Sequence, residues 1–437
     1  MFTSSGAIVF KESTMTGTLS VKSGTCVAFM KDPVSPVAEI TAPRLTSASS
    51  LTTFDGFLNI GAGGIAAGSQ KVGGFRTIAT TGNMQAGDVT ARDSLDIGGK
   101  LTTGGTAATT ISATAIKVAG GIDYNGANAA IATPASGGSL TLQASAVNLD
   151  TAGINGIQAN GADGLLALIG GGDGGTVNIG TATKPITNGI AVNAPISATT
   201  GANATGVATG GKGGTVNLIA GGAIGVNSTV KVSGSTATRA SQSGGGIKLD
   251  SRKTSGTAIS IGNSGQLLSL LNAAATGTGG KIQFTSSGGD ILVNGGTVRA
   301  DRGTVDLRNN GAGNVALNNA AIRGDVVKVG ALGANGQLLI GGGAINADTT
   351  LNLYGGTSNG QVRFTGDTTL GGNSVKNIAG KTVTIDDGRT VTIGGTGAAR
   401  VFTDKANYTG SGGNGTTTGA FAGNGATTQS FSKRPSF

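Results

Sequence analysis

Polar and apolar residues alternate in short bursts along most of this chain, and glycine opens nearly every burst. The recurring unit is one or two glycines, then two large apolar residues separated by one polar residue. It appears as Gly138-Ser139-Leu140-Thr141-Leu142, Gly175-Thr176-Val177-Asn178-Ile179, Gly214-Thr215-Val216-Asn217-Leu218, Gly246-Ile247-Lys248-Leu249, Gly280-Lys281-Ile282-Gln283-Phe284 and Gly303-Thr304-Val305-Asp306-Leu307. Pairs of the same form fall between these units, among them Val147/Leu149, Ile190/Val192, Ile224/Val226, Ile259/Ile261 and Ile291/Val293. A period of two predicts strands that bury one face. Beyond residue 300, Val305, Val315, Val327, Leu338, Leu351 and Val362 each open such a pair about 11 residues after the last, the spacing of a coil with two or three short strands joined by turns.

The predicted fold is all-β, a single-stranded parallel β-helix over residues 85–402. Inward Val, Ile and Leu would stack on their equivalents about 4.8 Å away in the next coil, while outward Thr, Asn, Lys and Gln meet solvent. Glycine pairs would turn the corners, where positive φ and close backbone approach exclude side chains. A β-sandwich also predicts closely spaced strands, but it calls for aromatic anchors and hairpin turns that are scarce here.

The flanks read differently. In residues 1–30, Ala7–Phe10, Gly17–Val21 and Thr25–Phe29 predict a short antiparallel strand segment, a strand-rich remnant of an upstream domain. Residues 31–84, with Pro33, Pro36 and Pro43, predict a linker and first irregular coils. Residues 403–437 form a Gly/Thr/Ser tail with almost no apolar periodicity, predicted to be disordered. Ala194–Gly213 and Ser233–Gly245 read as insertions, hence loops on one face that either bind a partner or are merely solvated.

Composition narrows the picture. With 83 glycines, 3% aromatics and no Trp in 437 residues, a broad globular core cannot be filled, though a thin one can. The formal charge of +9 comes from basic residues placed singly, such as Lys212, Lys231, Lys248, Lys281, Arg299 and Lys328. Without a basic cluster or stacking aromatics, no nucleic-acid partner is expected, and scattered cations instead protect sheet edges from pairing. No apolar run is long enough for a membrane-spanning helix. Cys26 is alone, which excludes an intrachain disulfide. The opening Met1-Phe2-Thr3-Ser4-Ser5-Gly6 has no signal-peptide pattern, so the N-terminus is expected to be truncated.

The stretch Gly213-Gly214-Thr215-Val216-Asn217-Leu218-Ile219-Ala220-Gly221-Gly222-Ala223-Ile224-Gly225-Val226 resembles the repeats of bacterial filamentous-haemagglutinin-type adhesins, and the resemblance extends over about 300 residues. It implies a right-handed β-helix, export, and display at the cell surface or outside the cell. The family's secretion domain carries an Asn-Pro-Asn-Gly signal that does not occur in this sequence, which leaves the export route open. Gly17-Thr18-Leu19-Ser20-Val21-Lys22-Ser23-Gly24 with the proline stretch after it resembles the tail of a FecR-type domain.

Candidate chemistry is thin. Histidine is absent, which removes Ser-His-Asp hydrolysis and His-ligated zinc. Gly356-Thr357-Ser358-Asn359-Gly360 fits the spacing of a nucleophile elbow but lies between strands without a base, and reads as a turn. Gly380-Lys381-Thr382 lacks the first P-loop glycine, because Val375 stands in its place. Gly170-Gly171-Gly172-Asp173-Gly174-Gly175 supplies one aspartate where calcium-binding repeats need one in each unit. The best acidic pair, Asp386-Asp387, consists of neighbours that would point to opposite faces. Tyr124, Tyr354 and Tyr408 are too dispersed for a sugar platform. Thr382-Val383-Thr384 and Thr390-Val391-Thr392 fit an ice-binding array locally.

No catalytic, metal or cofactor-binding residue is therefore assigned, no cofactor is expected, and the binding residues stay unknown. The expected function is that of a non-enzymatic, secreted or surface adhesive stalk displaying loops to a glycan, a matrix protein or a copy of itself. The alternatives are a polysaccharide-binding or polysaccharide-cleaving β-helix and an ice-binding solenoid.

Overall fold

The computed structural model describes all residues except 1, 5–7, 11–12, 15–17, 24–26, 30–37, 54–55, 104–107, 127–133, 145–147, 164–169, 203–209, 235–242, 272–276, 398, 408–415, 420–426 and 436. Among the described residues every strand pairing is parallel, and the helical elements are two short 3-10 turns, Thr151–Ile154 and Phe431–Lys433. Three ladders run side by side. The first includes Ile65–Ala66, Met84–Gln85, Leu101–Thr102 and Ile122–Asp123, each paired with the next. The second includes Ser139–Ala144, Thr176–Ile179, Thr215–Ala220 and Gly246–Ser251. The third includes Gly189–Val192, Ala223–Val226, Thr257–Ile261 and Asp290–Asn294. The chain visits first, second and third ladder in turn and then climbs one rung, which is the path of a β-solenoid.

Coil length varies while the register does not. Hydrogen-bonded equivalents lie 17 residues apart at Ser94 and Thr77 and 39 apart at Asn217 and Asn178. Loops of different length are accommodated at the corners because each strand answers only to the rung beside it. The interior follows from alternation: in the second ladder one inward column runs Leu142, Ile179, Leu218, Leu249, Phe284, Leu307, Val329 and Leu353, all fully buried.

Corners are built from glycine and Asx residues. At Gly222 a Cβ would collide with the carbonyl oxygen of Asn188 on the previous coil, so no side chain fits. Corner Asp and Asn side chains accept backbone N–H groups from the coil above: Asp88 from Thr110 at 2.8 Å, Asp290 from Asn314 at 2.7 Å, Asn314 from Gln337 at 3.0 Å and Asp367 from Thr390 at 2.8 Å. These bonds satisfy amides that the turn leaves without a ladder partner.

Three expectations are corrected. The N-terminal strands are parallel, not antiparallel: Ile8–Phe10 pairs in register with Val27–Phe29, and that strand pairs with Leu51–Thr53. Residues 1–30 and 31–84 therefore share the ladder that continues past residue 85. Periodicity identifies strands but is blind to their direction. The segment expected to be disordered contains two further rungs, Thr416–Gly419 on Thr390–Ile393 and Thr427–Gln429 on Arg400–Phe402. Threonine-rich strands supply backbone pairing without an apolar signature. Residues 408–415, 420–426 and 436 of that tail lie outside the described residues, as do 203–209 and 235–242 of the two insertions. Within the first insertion, Ile196–Ser197 is a strand of the first ladder rather than loop.

Candidate functional site

Most carboxylates serve the scaffold. Asp93, Asp96, Asp123, Asp250, Asp301, Asp306, Asp386 and Asp404 are each ion-paired to a Lys or Arg. Asp163 and Asp173 accept backbone N–H groups of Ala202 and Lys212, each at 2.7 Å. Asp173, the one acid of the Gly170–Gly175 stretch, is thus an inter-coil cap. Asp173→Ala is expected to lower stability by about 1 kcal/mol, as loss of a comparable backbone cap does, and calcium is expected to leave the melting temperature of either protein unchanged in a calorimetric scan.

Asp386 is gripped by both arms of Arg363, at 2.7 and 3.0 Å, so it does not join Asp387 as an acid–base pair. Gly356–Gly360 is a corner: Gly356 has φ of 53°, and the Thr357, Ser358 and Asn359 amides donate to carbonyls of Gly333 and Ala334. Gly380 ends a strand, and Lys381 next to it pairs with Asp404 at 2.8 Å. Thr382 and Thr384 stand between Gln361 and Arg363 on one rung and Lys405 and Asn407 on the other, so that threonine array stops after one rung, whereas Thr392 is in register with Thr369 and Thr418, and Thr390 with Thr416. Tyr124 is buried inside the coil and Tyr354 is buried on its outside. Tyr408 and Cys26 lie outside the described residues.

One corner gathers charges that the scaffold does not consume. Between the first and second ladders, a cleft of about 280 Å³ is lined by residues that include Leu271, Arg299, Asp301, Arg302, Arg323 and Asp348. Register explains the gathering: Arg299 and Arg323 are partners on adjacent rungs. Like charges so placed repel, and the structure relieves this on one side only. Arg299 is forked onto Asp301 at 2.6 and 3.0 Å, whereas Arg323 is exposed and makes no ion pair among the described residues. Arg302 holds φ of 54°, a left-handed conformation uncommon for a non-glycine residue.

Asp325, on the same corner, has its proton affinity raised, chiefly by burial and further by the Asp348 carboxylate, with Arg302 opposing. Its backbone carbonyl accepts the Thr349 hydroxyl at 2.8 Å. One exposed guanidinium beside a carboxyl of raised pKa suits an anionic or polyhydroxylated ligand.

A second, more apolar cleft of about 560 Å³ lies beside the third ladder, where Asn59, Thr80, Thr81 and Gly98 meet Asp96 and Lys117. Its two charges face each other at 3.8 Å. The Arg/Asp corner escaped sequence reasoning because its residues come from separate coils. The column register sets Arg299 on Arg323, and the irregularity after Gly324 and Ala347 holds Asp325 and Asp348 at the same corner.

Among the described residues no group of three or more His, Cys, Asp or Glu is placed to hold a metal ion, and no helix is long and apolar enough to cross a membrane. No family model, curated protein or solved structure matches this chain.

Proposed function

We propose that this protein is a non-enzymatic adhesive stalk, a right-handed β-helix exported to the outer cell surface or beyond, which presents its corners and loops to a partner. The observation that carries the reading is the continuous parallel stacking, rung by rung from Phe2–Ser4 to Thr416–Gly419 in the first ladder and from Ile8–Phe10 to Thr427–Gln429 in the second, with most of the carboxylates committed to ion pairs and caps. Such a body gains stiffness from stacking and needs no cross-link. Its variable parts are confined to corners, where length can change without disturbing the register.

The Arg299–Asp348 corner favours a second reading, a polysaccharide-binding or polysaccharide-cleaving β-helix, in which Arg323 contacts an acidic sugar and the corner carboxyls Asp325 and Asp348 act beside it. The two readings part in one experiment. The purified chain is screened against immobilised acidic and neutral glycans and matrix proteins, with release of reducing ends or unsaturated products followed in parallel. The stalk reading expects retention without turnover, and retention weakened at least tenfold by Arg323→Glu if the corner is the contact. Turnover abolished by Asp325→Asn would replace it with the enzymatic reading.

A further inference from the structure

The outer face of the second ladder carries a small apolar cluster that belongs to no coil interior. Gly330, Tyr354, Ala379 and Phe402 occupy successive rungs of one outward column. Outward aromatics would ordinarily be wet, yet Tyr354 and Phe402 are each only 4% exposed. The cover comes from Ser430, Arg434, Pro435 and Phe437, whose contacts run from the last rungs back along the column, against the stacking direction. Ser430 donates to Asp404 at 3.1 Å, Arg434 donates to the Thr357 carbonyl at 3.0 Å, and Pro435 accepts the Tyr354 hydroxyl at 2.7 Å. The ring of Phe437 then reaches Tyr354, with centroids 5.1 Å apart and planes tilted by 56°.

The seat is shaped around that ring. Gly330 forms its floor: a Cβ there would lie 2.7 Å from the Phe437 ring, so the missing side chain makes room. Arg308 stands 5.3 Å from the ring centroid and Lys328 5.9 Å, both within cation–π range. Arg308 is itself fixed by a bidentate pair with Asp306 at 2.7 and 2.6 Å. Leu332 completes the apolar wall. Every one of these contacts reads a side chain or a carbonyl of the segment, and none depends on its covalent attachment to this particular rod.

We infer that the groove over Gly330 and Tyr354 is a docking site for a Pro-x-Phe peptide, that the chain's own Arg434, Pro435 and Phe437 are its resident ligand, and that the same residues of a second copy are the occupant it accepts in trans. The seated sequence is the argument for that occupant, since a second copy carries the one peptide already shown to fit. Tethering gives the resident segment a high effective concentration, so exchange between copies is expected only at high protein concentration or when the resident is weakened. The inference concerns self-association and stands apart from the display reading.

The test uses the full chain and a fluorescent peptide of sequence Ser-Lys-Arg-Pro-Ser-Phe. Phe437→Ala empties the seat, and circular dichroism with thermal melting verifies that the rod persists. The peptide is expected to bind Phe437→Ala at least tenfold more tightly than the unaltered chain, whose own segment competes. Adding Gly330→Leu to Phe437→Ala should abolish binding. In sedimentation velocity the unaltered chain should form a concentration-dependent dimer that Gly330→Leu lacks. Equal binding to both chains, or none to Phe437→Ala while its rod persists, overturns the docking site. Peptide binding with an unaltered chain that stays monomeric up to millimolar concentration overturns the second copy as occupant.

Discussion

Replacing Lys376 with methionine is expected to stabilise the protein. In the second ladder an inward column runs Val305, Val327, Leu351, Lys376 and Ala399 by register, so the lysine stands where every neighbouring coil places an aliphatic side chain. It is fully buried. Its Nζ donates to the carbonyls of Gly372 at 2.9 Å and Ser374 at 3.1 Å, and no carboxylate pairs with it among the described residues. The Ser374 hydroxyl nearby is buried and has no hydrogen-bond partner among the described residues. A charge held this way loses its hydration for two carbonyl contacts, and burial pushes the Lys376 pKa below the usual lysine value.

Methionine matches the length of the side chain and adapts to irregular space. By analogy with the replacement of buried charges by hydrophobic groups, the gain is about 1–4 kcal/mol. The pH dependence gives an independent sign. Because the folded-state pKa lies below the unfolded one, folding disfavours the charged form of this lysine. The unaltered chain is therefore destabilised by this group at pH values below its folded pKa, and gains stability as pH rises from there towards the ordinary lysine range. Urea unfolding at pH 7 and pH 10 should show Lys376→Met more stable at the lower pH, with the difference shrinking at the higher. A variant less stable than its parent at both values would mean that the ammonium contributes to the fold.

Phe284→Ala is expected to cause the largest loss, about 3–5 kcal/mol for removal of a fully buried aromatic ring. Phe284 lies between Leu249 and Leu307 in its column, and no part of it reaches solvent. In a stack of rungs the loss is shared mainly by the neighbours. Hydrogen exchange should thus accelerate in 246–251, 281–286 and 304–309 well before the distant rungs respond. Lys281→Ala, an exposed change on the same strand, should leave exchange unaltered. Uniform acceleration along the whole chain would instead indicate a single cooperative core.

How far the fold could be read ahead follows from what alternation encodes. Gly-x-Val-x-Leu units specify which side chains face inward, and the columns through Leu142 and Phe284 are those units laid on one another. Strand direction is not encoded, which is why Ile8–Phe10 and Val27–Phe29 read as antiparallel partners although they are parallel neighbours one coil apart. Lys376 was hidden because residue polarity suggests an outward side chain, whereas the phase fixed by buried Ile378 turns it in. The Arg299–Asp348 corner and the Ser430–Phe437 segment were hidden for a shared reason. Both depend on which coil lies beside which, and neither leaves a periodic trace.

Each coil adds one rung in parallel register whatever its length in residues, and pulsed electron-spin dipolar spectroscopy can count those rungs. With the single Cys26 changed to Ser, spin labels are placed at Arg400 and, in separate samples, at Gln283, Lys248, Asn217 and Asn178, which belong to the same outward column. The distances should rise in even steps of about 4.8 Å per rung, from roughly 24 Å for Gln283 to roughly 38 Å for Asn178. Distances that fail to increase in that order, or that cluster near one value as in two face-packed sheets, would contradict the account.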